Sequence, residues 1–94
     1  MDAKLKADWV AALRSGKFKQ AHIVLRASGA YCCLGVLCRV AKIPIARDGR
    51  SVSKSRDYWP IAEIVGGQTM NRLMGMNDQG SSFPEIADYI EANL

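Results

Sequence analysis

The stretch Tyr31–Cys38, which reads YCCLGVLC, constrains the fold more than any other part of the chain. It is the longest run with no charge and almost no polarity, and it holds all three cysteines. From Cys33 onward, apolar residues recur at helical spacing with a second stripe beside them, which predicts a buried central helix over residues 33–42. Gly35 lowers helix propensity there, which is tolerated where another backbone approaches closely. The rest of the domain is expected to pack around this helix.

The segment before the run predicts one helix and a small hairpin. Leu5, Trp9 and Leu13 share a helical face over residues 2–15, and Asp2 suits the helix N-cap. The β-branched triplet at residues 23–25 predicts a short strand. A turn at Ser28-Gly29 and a return strand at Tyr31-Cys32 then complete the hairpin.

The segment after the run predicts short helices. Asp48-Gly49 is a turn signal between two short strands. Asp57 is placed to cap a helix ended by Gly66-Gly67, and Thr69 to cap a second one that Gly75 closes. Ser82-Phe83-Pro84-Glu85 has capping-box spacing, followed by an amphipathic C-terminal stripe. We expect an α+β fold: a small, mostly helical single domain over residues 1–94, with a short β-hairpin packed on the central helix.

Length and composition bound the class of protein. A chain of 94 residues suits one domain. Its longest apolar run is far below the roughly 20 residues needed to cross a bilayer. The N-terminus lacks the apolar core of a signal peptide, so a cytoplasmic protein without membrane attachment is expected. An odd number of cysteines favours reduced thiols over a disulfide framework.

Charge is distributed unevenly along the chain. The first 56 residues hold twelve of the thirteen Lys and Arg, while the last 38 hold six of the nine acidic residues. Such a distribution indicates either two binding faces or mutual attraction between the two halves in the folded state.

The cysteines do not predict catalysis or metal binding. A zinc site needs about four ligands, whereas Cys32 and Cys33 are adjacent and His22 is the single histidine. A thiol nucleophile assisted by His22 and by Asn77 or Asp78 has the required residue types, but an apolar environment suppresses thiol reactivity. Phosphate-binding glycine motifs are absent from the sequence. We therefore expect no enzymatic activity, no metal and no cofactor.

The basic middle of the chain is the candidate binding segment. Six Lys and Arg lie between positions 39 and 56, interleaved with serines and followed by two aromatic residues. Arginine and aromatic side chains are enriched at protein interfaces, and the same groups bind phosphates and stack on bases. The candidate partner-binding residues are Arg47, Arg50, Lys54, Arg56, Tyr58 and Trp59.

Three segments, at residues 9–20, 31–38 and 76–91, together resemble a family of small proteins encoded by phages and prophages. The resemblance rests on WVAALRSGKFKQ, YCCLGVLC and MNDQGSSFPEIADYIE in that order. It implies phage origin. Small phage proteins without catalytic motifs often bind and disable a host machine, as anti-CRISPR proteins do. The resulting expectation is a non-enzymatic inhibitor that binds a host protein complex, such as a CRISPR effector. The alternative is a small basic nucleic-acid-binding accessory protein.

Overall fold

The uncharged run forms the helix at the centre of the molecule. A computed structural model describes residues 1–52 and 58–94. In it, helix α2 spans Cys33–Ala41, and every residue from Cys33 to Cys38 is buried. The Cys32 sulfur accepts a hydrogen bond from the Gly35 backbone N–H (3.4 Å), so the first thiol caps the helix. The predicted central helix is confirmed.

The fold is α+β. The described residues form five helices and a three-stranded sheet, with β1 parallel to β3 and β2 antiparallel to it, in the order β1-β3-β2. In chain order the elements are α1 (Ala3–Arg14), β1 (Lys19–Gln20), β2 (Arg26–Ala27), β3 (Ala30–Tyr31), α2 (Cys33–Ala41), α3 (Trp59–Val65), α4 (Gly67–Asp78) and α5 (Phe83–Asn93). No helix in the described ranges is both long enough and apolar enough to cross a membrane.

Helix α1 packs on α2 through the residues that its periodicity indicates. Asp2 caps it by accepting a hydrogen bond from the Leu5 N–H at 2.8 Å. Trp9 is fully buried, and its indole N–H donates to the Cys33 carbonyl (2.9 Å) at the start of α2. The Trp9 ring is therefore buried against the central helix, which also provides the hydrogen-bond acceptor for its only polar atom.

The predicted hairpin packs on the central helix at Gly35. The turn at residues 28–29 joins β2 to β3, as expected. A Cβ atom at Gly35 would overlap the carbonyl oxygen of Leu25, the residue just before β2. The sheet therefore approaches α2 more closely than any side chain at position 35 would allow, which explains the glycine inside this helix.

The predicted strand at residues 23–25 is wrong. The strands lie on either side of this triplet, and Ile23 has a left-handed backbone with φ of 75°. Its side chain is 78% exposed, whereas Leu25 is buried. Tertiary hydrogen bonds to this segment override the β propensity of its residues.

The predicted boundaries of α4 are also wrong. Thr69 does not cap this helix, which begins at Gly67, and Gly75 lies inside it. The helix ends instead at Asp78, and Gly80, which follows the C-cap Gln79, has a φ of +107°. There the Ser81 N–H donates to the Met76 carbonyl (2.9 Å), which is the bonding pattern of a Schellman ending.

The two remaining predicted caps differ in outcome. Ser82 and Glu85 form the predicted capping box at the start of α5. Asp57, predicted to cap α3, lies outside the described residues; Tyr58 directly precedes α3 and makes no side-chain cap hydrogen bond. Helix α5 packs chiefly against α1, which in turn packs on the central helix. The side chains buried in the shared core include Trp9, Leu13, Ile86 and Ile90.

Candidate functional site

The basic middle of the chain begins as a short hairpin. Residues 45–52, here called the basic hairpin, are closed by an antiparallel bridge between Ile45 and Val52. The Gly49 N–H donates to the Ala46 carbonyl at 2.8 Å, and φ of +74° at Gly49 makes the turn. The Asp48 carboxylate accepts from the Arg50 N–H at 2.9 Å. The turn predicted at Asp48-Gly49 is thus present.

Gly49 fastens the tip of the basic hairpin to the sheet. Its carbonyl oxygen accepts hydrogen bonds from the N–H groups of Leu25 (2.7 Å) and Arg26 (3.1 Å). A Cβ atom at position 49 would overlap the Arg26 carbonyl oxygen. The Arg26 guanidinium also donates to the Ala46 carbonyl at 3.3 Å. The backbone on both sides of Arg47 is therefore held by β2.

Arg47 and Arg50 are exposed on either side of this anchored glycine. Within residues 1–52 and 58–94 neither guanidinium forms an ion pair. Holding the backbone reduces the conformational entropy that would be lost when the two guanidinium groups bind a partner. Guanidinium groups present a planar set of donors that matches carboxylates and phosphates, so the tip is suited to bind an anionic surface.

The aromatic candidates lie at the start of α3. Burial raises the pKa of the half-buried Tyr58 phenol, and the nearby positive charge of Arg50 acts in the opposite direction. The Trp59 side chain is 60% exposed. The other two candidates, Lys54 and Arg56, lie outside the described residues.

Part of the charge asymmetry is neutralised within the fold. The Arg14 guanidinium on α1 contacts the carboxylates of Asp88 and Glu91 on α5, each at 2.6 Å. These contacts raise the pKa of Arg14, with the Glu91 hydrogen bond as the main cause. The basic and acidic halves thus meet at the α1–α5 contact, on side chains that remain exposed to solvent, whereas the arginines of the basic hairpin take no part in it.

A second group of basic residues lies at the end of α2. Arg39 lies over the Tyr31 ring, 5.8 Å from its centroid, and Lys42 follows in a left-handed conformation. Both side chains are exposed beside a shallow groove that Ile43 and Pro44 also line. The basic hairpin follows Pro44 directly in sequence. Arg39 and Lys42 therefore extend the positively charged segment toward α2.

The three thiols are buried and serve packing. Burial raises the pKa of Cys32, raises that of Cys33 strongly, and raises that of Cys38 to about 12. His22 is exposed. In the described ranges, no group of three or more His, Cys, Asp and Glu side chains converges on a metal-sized site. The environment of the thiols suppresses the thiolate form that nucleophilic attack requires.

The sequence patterns did not indicate the structural role of Asn77. Asn77 is fully buried at the end of α4, and its amide NH₂ donates to the Ala21 carbonyl (2.8 Å). Its Oδ1 accepts from the Gln20 side chain (2.9 Å) and from the Cys33 N–H (3.1 Å). An Asn-Asp pair before a glycine is typical of a tight turn, so its role as a buried link between elements has no local signal.

Comparison with known proteins places the chain in a family. A family model described as a domain of unknown function, DUF8296, matches residues 1–63. The match contains the segments at residues 9–20 and 31–38 and also the basic hairpin, whereas the segment at residues 76–91 lies beyond it. No curated protein and no solved structure matches the chain. Since the model matches more than half of its length, the chain belongs to the DUF8296 family.

Proposed function

We propose that this protein is a non-enzymatic inhibitor that binds a host protein complex through the basic hairpin. The observation that carries the proposal is the anchored tip. Gly49 is held against β2, and the exposed Arg47 and Arg50 beside it form no ion pair within the described part of the chain. The complementary surface on the partner is acidic, and Tyr58 and Trp59 contribute aromatic contacts at its edge.

The resemblance of three segments to phage-encoded proteins supports a host protein complex as the partner. A phage product acts in the bacterial cytoplasm, where defence machines such as CRISPR effectors operate. A positively charged hairpin would bind an acidic surface of such a machine, including an acidic edge through which the machine is regulated. It is unsuited to mimicry of DNA, because a mimic of DNA carries negative charge.

The alternative function, nucleic-acid binding, uses the same two guanidinium groups on phosphates. It differs in its response to salt, because each phosphate contact releases counterions. A nucleic-acid complex that depends on Arg47 and Arg50 should weaken steeply as salt rises. A protein complex with a desolvated centre should persist at moderate salt, where exposed charges are screened.

The test is a pull-down of the tagged chain from nuclease-treated bacterial lysate at low and moderate salt, with captured proteins quantified by mass spectrometry. The binding variant is the double substitution Arg47→Ala and Arg50→Ala. Its matched control, Lys4→Ala with Lys17→Ala, removes the same charge from exposed positions outside the hairpin. We expect one protein complex to be captured by the wild type and the control, and to be lost with the binding variant.

A fluorescent DNA duplex and a single-stranded RNA are titrated in parallel. Salt-sensitive binding to either, lost in the arginine variant and without any captured protein, would replace the proposal with the nucleic-acid alternative. Equal capture by the arginine variant and the lysine control would remove the basic hairpin from the binding site.

A further inference from the structure

Ile23 is placed where an isoleucine does not serve the fold. Its φ of 75° lies in the left-handed region, which β-branched residues rarely adopt. It is 78% exposed, more than any other large apolar residue of the described chain. Backbone strain and apolar exposure are independent disadvantages, and a glycine or asparagine would avoid both.

The surrounding contacts hold this residue firmly. The Ile23 N–H donates to the Asp78 carboxylate at 2.7 Å. On one side, the Ala21 N–H donates to the Tyr31 carbonyl (2.8 Å), and the Ala21 carbonyl accepts from buried Asn77. On the other side, Leu25 is buried. The turn is thus fixed at both ends, and the isoleucine side chain projects from it into solvent.

The same turn supports the basic hairpin. Leu25, two residues after Ile23, donates its N–H to the Gly49 carbonyl at 2.7 Å. The backbone that carries the exposed isoleucine and the backbone that carries Arg47 and Arg50 are therefore joined by a direct hydrogen bond. The exposed isoleucine thus lies on a segment that is bonded to the hairpin bearing two exposed arginines. Apolar anchors and arginine together are typical of protein interfaces.

We infer that Ile23 is the apolar anchor of the partner-binding surface and inserts into an apolar pocket on the protein partner. The inference rests on the proposed function, since it extends the surface around the basic hairpin. It commits to a protein because the exposed Asp78 carboxylate is bonded to the Ile23 N–H, where it would repel phosphate groups of nucleic acid and anionic lipid. A single aliphatic side chain is also too small to anchor a protein to a membrane.

Two substitutions at the same position separate binding from folding. Ile23→Asn removes the apolar group and suits the left-handed backbone, so we expect Tm to rise by roughly 4 °C or more. Ile23→Leu keeps an aliphatic group of the same size. Capture from nuclease-treated bacterial lysate is measured for both against chain concentration. The complex that the wild type captures should bind Ile23→Asn roughly 10- to 100-fold more weakly and Ile23→Leu within a few fold of the wild type.

Each other outcome has a definite meaning. A lower Tm for Ile23→Asn would show that the side chain stabilises the fold, and would overturn the inference. Undiminished capture by Ile23→Asn, with loss in the Arg47→Ala and Arg50→Ala variant, would overturn the inference and leave the proposed function standing. No capture by the wild type would overturn both. A wild-type dimer in light scattering that Ile23→Asn dissociates would identify a second copy of the chain as the occupant and overturn the inference.

Discussion

The side-chain oxygen of Asn77 accepts a hydrogen bond from the backbone N–H of Cys33, 3.1 Å away. The contact joins the end of α4 to the first residue of α2, where an N–H group lacks a partner within its own helix. The same amide binds the Ala21 carbonyl ahead of β2. One fully buried side chain thus connects the central helix, the last turn of α4 and the segment that carries Ile23.

Replacing Asn77 with alanine should destabilise the protein by about 3 kcal/mol, because it leaves the Cys33 N–H and the Ala21 carbonyl buried without partners. Urea unfolding monitored by circular dichroism measures the change. The control is Asn71→Ala on the exposed side of the same helix, with an expected change within about 0.5 kcal/mol. Similar effects of the two substitutions would mean that helix propensity, and not the buried bonds, dominates.

Two glycines inside helices should respond to alanine in opposite directions. Gly35→Ala places a methyl group on the Leu25 carbonyl, so a loss of about 3 kcal/mol or more is expected. Gly75 in α4 has no atom within reach of an added methyl group, so Gly75→Ala should stabilise by about 0.5–1 kcal/mol through helix propensity. Thermal and urea unfolding of the pair check the prediction. A neutral Gly35→Ala would show that the sheet can move away from α2.

Local signals account for the elements that could be predicted. The helices α1, α2 and α5 carry their own caps and apolar faces, and the Asp48-Gly49 turn has its own residue types. The conformation of Ile23 could not be predicted, because a distant group determines it. Ile23 is held by Asp78, 55 positions away in sequence.

The candidate site divides in the same way. The positions of its arginines and its turn could be predicted from residue types alone. The attachment of Gly49 to the N–H groups of Leu25 and Arg26 could not, because backbone groups leave no pattern in a sequence. The link between the segment that carries Ile23 and the basic hairpin depends on that attachment, so no sequence pattern predicts it.

The three cysteines should resist alkylation in the native protein. All are buried, and burial raises their pKa values, so the thiolate that attacks iodoacetamide is scarce. We expect no labelling of the folded chain at about pH 7 and labelling of all three thiols in denaturant, as read by mass spectrometry. Rapid labelling of Cys32 or Cys33 alone in the native protein would instead indicate an activated nucleophile.

Alkaline pH should destabilise the fold through the same thiols. The pKa of Cys38 rises from its ordinary value of 9.0 to about 12 in the folded state. The unfolded chain therefore loses its thiol proton first, and the contribution to stability, complete below pH 9.0, declines as the pH rises toward about 12. The slope is up to about 1.4 kcal/mol per pH unit for each thiol. Urea unfolding in reductant between these values should show a shallower decline for Cys38→Ala, and an unchanged slope would contradict the assignment.

Acidic pH should weaken the start of α5. The Ser82 N–H donates to the Glu85 carboxylate at 2.8 Å, and the Glu85 N–H donates to the Ser82 hydroxyl at 3.3 Å. The hydrogen bond from the Ser82 backbone N–H lowers the pKa of Glu85 below its ordinary value of 4.5. The contribution of the carboxylate to stability is therefore complete above pH 4.5 and declines as the pH falls through the lower value reached in the folded state.

Two variants separate the capping hydroxyl from the charge. Ser82→Ala removes the hydroxyl cap and should cost about 1 kcal/mol at neutral pH. Glu85→Gln retains a side-chain acceptor without a titrating group, so its Tm should depend less on pH than that of the wild type below pH 4.5. Thermal unfolding across that range measures both effects. Parallel Tm curves for Glu85→Gln and the wild type would place the acid sensitivity on other carboxylates, with the Arg14 partners Asp88 and Glu91 as the next to test.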